Sequence, residues 1–394
     1  MTATPLPTSG VIGSAGRVTN PGAPTEVHTA ELRLAGEPLP IVSPARLYVC
    51  GITPYDVTHL GHAATFVWAD GLRGVLELAG AEVVTSRNVT DVDDVLTRAA
   101  RARGRHYDEF ALSQEYAFGQ DMQSLRVRRP TSEPRARGHI AHVQQLAAAL
   151  LAGGHAYERE GHVYFRGASV PDAIGLDRSR AHELATEYGD DPDDALRDDP
   201  FDVPVWRPSD EQDPAWPSPW GWGRPGWHAE CAAMAQASLG RGIDVLVGGA
   251  DLAFPHHAYQ AAMAEAATAV TPFARRQVHI GAVHQDGSKM SKSTGNLTLV
   301  ADLLRDHPPE AVRMLLLDRP WSEPWAFEPD LVLGARARVD ALFSAAGRPG
   351  SSASAVGVVA GHLLDDLDTV AALDVGIEAG GDAARLLLRV LALG

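Results

Sequence analysis

Apolar and polar positions along the chain first form a readable pattern at residue 45. Ala45–Cys50 is a short apolar run that Gly51 and Pro54 break, which predicts a strand. From about Leu60 to Leu78, Val67, Leu72, Val75 and Leu76 recur on one helical face, with Gly80 placed as the C-terminal stop. Glu82–Arg87 reads as a second strand. A strand–helix–strand unit favours a parallel sheet with a right-handed crossover. From about 112 to 215 the pattern changes: helical stretches such as Ile140–Leu151 alternate with a short strand pair near Ala156–Arg166, and an acidic, irregular stretch follows at Asp190–Asp194 and Asp198–Asp199. This reads as an insertion between two halves of one α/β fold. Trp216–Pro225, crowded with Trp, Pro and Gly, reads as an ordered loop or lid. A helix is expected at about Ala229–Leu239, a strand at Ile243–Val247 before the turn Gly248–Gly249, a helix at His256–Ala267 and a strand at Val278–Gly281. Ala- and Leu-rich helices dominate from about Leu299, with a Gly/Ser linker near Arg348–Ser354. The expected division is an N-terminal extension (1–44), a first half-domain (45–111), the insertion (112–215), a second half-domain (216–298) and a helical tail (299–394).

Composition bounds this picture without changing it. The chain has 394 residues, 45% hydrophobic and 21% charged, ordinary for a globular protein of two or three domains. A formal net charge of −16 argues against a dedicated nucleic-acid binder, whose affinity comes from phosphate neutralisation. No apolar run approaches the roughly 20 residues that span a bilayer, and Met1–Pro40 lacks the charged start and apolar core of a secretory signal, so a cytoplasmic protein is expected. Two cysteines, Cys50 and Cys231, make no disulfide framework.

Two short motifs carry candidate phosphate chemistry. His59-Leu60-Gly61-His62 opens the first helix, where free N–H groups and a partial positive charge suit phosphate and Gly61 admits a close approach. Lys289-Met290-Ser291-Lys292-Ser293 follows a late strand as a mobile cationic loop that can neutralise charge on a leaving pyrophosphate. Alone, the first is a helix start and the second a solvated loop; together and in this order they point to function. The pair resembles the two signature motifs of class I aminoacyl-tRNA synthetases. That resemblance implies a Rossmann-like parallel sheet with an insertion domain and a C-terminal helical bundle, with ATP, accompanied by Mg²⁺, as a substrate.

A third constellation is scattered along the chain. Thiolate and imidazole are the preferred ligands of zinc, and Cys50, Cys231 and His256 would give three ligands and one open position. Spacing does not decide between this and a buried filler thiol with a His256–His257 helix cap. The stretches Tyr48–Gly51, Gly226–Cys231 and Gly248–His257 are similar to those of cysteinyl-tRNA synthetases, in which zinc holds the thiolate of substrate cysteine. By this resemblance the metal is Zn²⁺ and the selected amino acid is cysteine, since serine and valine offer no soft sulfur.

Within that group the chain more closely resembles the cysteine ligases of the mycothiol pathway, over residues 42–368 and most strongly at Cys50–Thr65, Asn88–Asp94 and Trp216–Pro219. Those ligases couple cysteine to the amine of a glucosaminyl-inositol. Only about 100 residues follow the Lys289–Ser293 motif, leaving little room for an anticodon-binding domain, and where the tRNA synthetases carry a fourth, glutamate ligand this chain has Gln260. The resemblance implies His59, His62, Lys289 and Lys292 as catalytic groups. It implies an adenylate pocket of Cys50, Gly51, Ile52, Thr53, Thr65, Asn88, Val89, Thr90, Trp227, Gly249, Ala250, Asp251 and Val283. The expected partners are cysteine, ATP and an amino sugar–inositol, with tRNA and membranes disfavoured and no oligomeric state specified. Ala258 departs from the glutamate usual after the His-His pair, which leaves the acceptor amine open; the alternative readings are a short cysteinyl-tRNA synthetase and a paralogous cysteine ligase with another acceptor in specialised metabolism. Glu187–Pro192 corresponds loosely to a further motif of the family and equally to a solvated acidic loop.

Overall fold

A computed structural model describes residues 31–55, 57–211, 213–290 and 295–394. The expected residues Ser291, Lys292 and Ser293, and most of the 1–44 extension, lie outside them.

Four parallel strands form the central sheet: β1 (Ala45–Ile52), β2 (Val83–Val89), β3 (Ile243–Gly249) and β4 (Ala274–Ile280), in the order β4–β3–β1–β2. The chain leaves β1 through helix α1 (Leu60–Leu78) to β2 on one side, and β3 returns to the other side of β1. In such sheets the crevice lies at the carboxyl ends of the strands, where the order reverses. That reversal falls here between β1 and β3.

α1 is buried on more than the one face that its periodicity predicts. It is sandwiched, packing on the sheet and also under the tail helices Pro309–Leu317 and Gly381–Val390. The second contact needs Gly74: a Cβ there would meet the Val390 carbonyl oxygen at 2.2 Å. The helix ends at Leu78, and Gly80 follows in the left-handed region (φ +91°), which glycine enters at no steric cost. The opposite face of the sheet is covered by α2 (Trp227–Leu239), so the layers run helix, sheet, helix.

The insertion builds its own four-stranded antiparallel sheet from Ala156–Arg159, His162–Phe165, Val203–Pro208 and Gly223–Pro225, backed by the helix Ile140–Ala152. Its last strand lies beyond residue 215, and the helix Tyr107–Ser124 runs through residue 112, so the secondary structure crosses both expected insertion limits. The acidic stretch is not loosely solvated. Arg197 pairs with Asp190 and Asp194, and Arg159 and Arg166 share Asp198.

Beyond β3, a kinked segment Ala253–His257 precedes α3 (Ala258–Thr268), so His256 lies in the kink and not in the regular helix. After β4, β5 (Val283–Gln285) turns at Asp286 and Gly287, both at positive φ, into β6 (Ser288–Lys289). Positive φ at both central residues is the geometry of a tight hairpin turn. Six helices between Val300 and Val390 complete the described chain. No described helix is long and apolar enough to cross a membrane.

Candidate active site

The site grows from the carboxyl ends of β1 and β3. Pairing of β1 with β2 slips between Val49 and Ile52, so Cys50 and Gly51 fall in an irregularity of the ladder. Such a bulge re-aims a side chain. Gly51 donates its N–H to Asn88 Oδ1 at 2.9 Å, and a Cβ on it would lie 1.8 Å from the Asn88 carbonyl oxygen, so β2 approaches there as only glycine permits. Behind it the Thr53 and Thr90 hydroxyls are 2.7 Å apart and Thr90 Oγ1 donates to the Ile52 carbonyl. Val89 is core. Ile52, Thr53, Asn88, Val89 and Thr90 therefore form the wall behind Gly51.

The Cys50 and Cys231 sulfurs and a His256 ring nitrogen all lie within 4.8 Å of one another, and all three residues are buried. Among the described residues this is the sole such group of histidine, cysteine and carboxylate side chains. His256 Nδ1 sits 3.0 Å from His228 Nδ1, so a metal would take Nε2. Trp227 stacks on His256 with ring centroids 4.1 Å apart. Burial, then His228, holds His256 well below the usual imidazole range, and burial pushes His228 down to about 4. Both rings are neutral near pH 7, the form that ligates a metal. Burial, then Cys50, pushes the Cys231 thiol well above its usual value, and a bound cation would reverse that. Glu230, beside the thiols, is buried with both oxygens unpartnered among the described residues, and burial holds its carboxyl well above the usual carboxylate range. Gln260, fully buried, brings Oε1 to 3.5 Å from Cys50 Sγ, where it accepts from the thiol. Two sulfurs and an imidazole nitrogen in a buried pocket are a donor set that suits zinc.

An open cleft of about 600 Å³ adjoins this cluster. It is lined by Cys50, Gly51, His59, His62, Thr65, Gly249, Ala250, Asp251, Val283 and Lys289 of the expected residues. His59 is the residue before α1, and its ring stacks on that of His62 with centroids 3.9 Å apart. The hairpin brings Lys289 across the cleft, where Nζ donates to Asp251 Oδ2 at 2.8 Å. The segment after the motif is tied to the same helix start, since Leu60 N donates to Thr298 O and Val300 N to Thr58 O. The two motifs, more than 220 residues apart, thus face one cleft. Lys292 lies outside the described residues.

Sequence reasoning passed over several members of this site. Val95 lines the cleft and belongs to no recognised motif, and Tyr55, which also lines it, lies within Cys50–Thr65 but has no expected role there. Glu187, Tyr188 and Gly189 also line it, which places that acidic segment at the site. His228 lies within the Gly226–Cys231 stretch, and the sequence assigns it no part, because its contact with His256 spans 28 residues.

Comparison with known proteins identifies the family and the fold. Residues 41–337 match the family described as the class I (C) tRNA synthetase catalytic domain. A protein of Streptosporangium roseum named L-cysteine:1D-myo-inositol 2-amino-2-deoxy-alpha-D-glucopyranoside ligase is 41% identical over 86% of this chain and 84% of its own length. A Rhodococcus jostii protein of the same name is 42% identical over 84% of this chain and 82% of its own length. Among solved structures, Mycobacterium tuberculosis methionyl-tRNA synthetase bound by methionyl-adenylate superposes with a TM-score of 0.64 at 16% identity, covering 88% of this chain and 84% of that one. At that identity the likeness concerns the fold alone.

Proposed function

This chain belongs to the class I (C) tRNA synthetase catalytic family, and from that premise we propose that it is an ATP-dependent ligase joining L-cysteine to the amine of a glucosaminyl-inositol. The convergence of Cys50, Cys231 and His256 beside the cleft that holds His59, His62 and Lys289 carries this reading. Bound by those three residues, zinc would supply an open position for a substrate thiolate. Trp227, stacked on His256, and Thr53 wall the amino-acid side, and Asp251 receives its ammonium. Thr65, Gly249, Ala250 and Val283 line the path of the nucleotide. The cysteine carboxylate attacks the α-phosphorus of Mg²⁺-bound ATP and pyrophosphate leaves. His59 and His62 at the start of α1, with Lys289 and Lys292, neutralise the departing charge. The acceptor amine then attacks the adenylate carbonyl and loses a proton, an amide forms, and AMP departs. In domain terms, 45–111 and 216–298 are the catalytic halves, 112–215 the insertion and 299–394 the helical domain. A small amino sugar, not tRNA, is the acceptor, in keeping with the names of the relatives and the net charge of −16. We read the protein as working in the cytoplasm.

ATP–pyrophosphate exchange without tRNA tests the first half. Cysteine should support exchange at least about 100-fold faster than serine, because selection rests on sulfur. Comparable rates with serine would remove the basis of the reading. Mass spectrometry of products from cysteine, ATP and glucosaminyl-inositol tests the second half.

The contact between His228 and His256 yields a second expectation. His228→Ala removes the partner that fixes the His256 ring and should weaken zinc binding about 10–100-fold. Competition with a chromophoric chelator measures it. An unchanged zinc affinity would mean the contact does not orient the ligand.

A further inference from the structure

Lys289 and Asp251 come from opposite walls of the cleft. Asp251 sits in the single turn after β3, and Lys289 ends the β5–β6 hairpin. Their side chains meet at 2.8 Å, and both line the same cleft. This ion pair ties together two groups to which the functional reading gives different ligands: Lys289 serves the nucleotide phosphates and Asp251 the amino-acid ammonium. Among the described residues Tyr188 and His279 also feel the Asp251 charge, and neither brings a competing positive charge near pH 7, since burial lowers the His279 imidazole to about 4. An amino acid entering with its ammonium on Asp251 would therefore meet one cation already there. Two cations held a few ångströms apart on one carboxylate repel each other, so each weakens the other's hold on it.

We propose that Lys289 and the substrate ammonium compete for Asp251, so that nucleotide and amino acid bind with positive coupling. Phosphates that draw Lys289 away leave Asp251 open to the ammonium, and an ammonium on Asp251 releases Lys289 toward the phosphates. The factor is the same in both directions, as linkage requires. Its size is bounded by the strength of the pair. With side chains 43% and 38% exposed, Lys289–Asp251 is a solvated ion pair, which sets the coupling at up to about fivefold. The inference rests on the cysteine-ligase reading, and its test separates the two.

The probes are α,β-methylene-ATP, cysteamine and 2-mercaptoethanol, titrated calorimetrically into the zinc-loaded full chain. Both thiols can reach the metal, and only cysteamine carries an ammonium. Saturating cysteamine should tighten the nucleotide analogue about two- to fivefold, whereas 2-mercaptoethanol should leave it unchanged. In Lys289→Gln the cysteamine effect should vanish, and cysteamine alone should bind tighter than in the native protein by that same factor. Persistence of the effect in Lys289→Gln would assign it to direct attraction between ammonium and phosphate and overturn the proposal. Equal effects of the two thiols would also overturn it while leaving the cysteine reading intact. If neither thiol binds, both fall together.

Discussion

Cys231→Ala is expected to strip the protein of metal and of cysteine-dependent pyrophosphate exchange. The cluster offers three protein donors, and the two thiols in it are the only cysteines in the chain, so no neighbouring sulfur can substitute. Metal sites built from four such donors hold zinc with about 10–16 kcal/mol, so one lost thiolate should weaken binding by about 10²–10³-fold. Exchange with cysteine should fall by at least that factor. Loss of the side chain itself is a smaller matter. Cys231 is 1% exposed within an apolar cluster that includes Tyr48 and Met234, and truncating so small a side chain leaves a limited cavity. Circular dichroism should therefore show a folded protein. Zinc retained at one per chain after dialysis would rule out Cys231 as a ligand and take the choice of cysteine with it.

Arg313→Ala should give the largest loss of stability among single changes away from the site. Arg313 is completely buried, and its guanidinium donates to Asp70 Oδ2 at 2.8 Å, to the Leu125 carbonyl at 2.9 Å and to the Leu391 carbonyl at 2.6 Å. One side chain thus closes the tail helix Pro309–Leu317 onto α1, the turn after the helix Tyr107–Ser124 and the chain end. Removing one member of a buried ion pair costs about 3–5 kcal/mol, because the other charge stays buried. Arg128, which also holds Asp70 at 2.8 Å, keeps part of that charge compensated, so the lower end of this range is expected. Urea unfolding followed by tryptophan fluorescence measures the change. A loss below about 1 kcal/mol would show that water or Arg128 takes over the whole role.

Much of the sheet was legible because its strands are apolar runs bounded by glycine and proline, and α1 because its apolar residues recur at helical spacing. Both of its expected limits, Leu60 and Leu78, agree with the structure. The helix Tyr107–Ser124 was harder. It buries only Phe110, Ala111, Phe118 and Met122, too sparse a stripe to stand out from a polar sequence. The hairpin carrying Lys289 had a signal that went unread. Asp286-Gly287 between Val283–Gln285 and Ser288–Lys289 is a two-residue turn sequence, and it moves Lys289 from a loop onto a strand. The site was legible to the extent that its chemistry resides in residue types: two cysteines, a histidine pair, two lysines. Its geometry was not. The contacts of His228 with His256, of Gln260 with Cys50 and of Lys289 with Asp251 join residues 28, 210 and 38 positions apart. No local period encodes them, because tertiary packing brings them together.

The pairing of β1 with β3 joins Leu47 to Val245, across almost 200 residues of intervening chain. During synthesis β1 leaves the ribosome with one edge unpaired and cannot be completed until residue 249 has followed it. For that interval a strand that carries Cys50 presents bare N–H and C=O groups along one edge, the template on which chains aggregate. The insertion waits as well: its sheet closes only with Gly223–Pro225, and its core takes in Phe254, Tyr259 and Met263 from beyond β3. Protease resistance of stalled chains should therefore appear in the insertion and the catalytic sheet together, only once β4 has emerged.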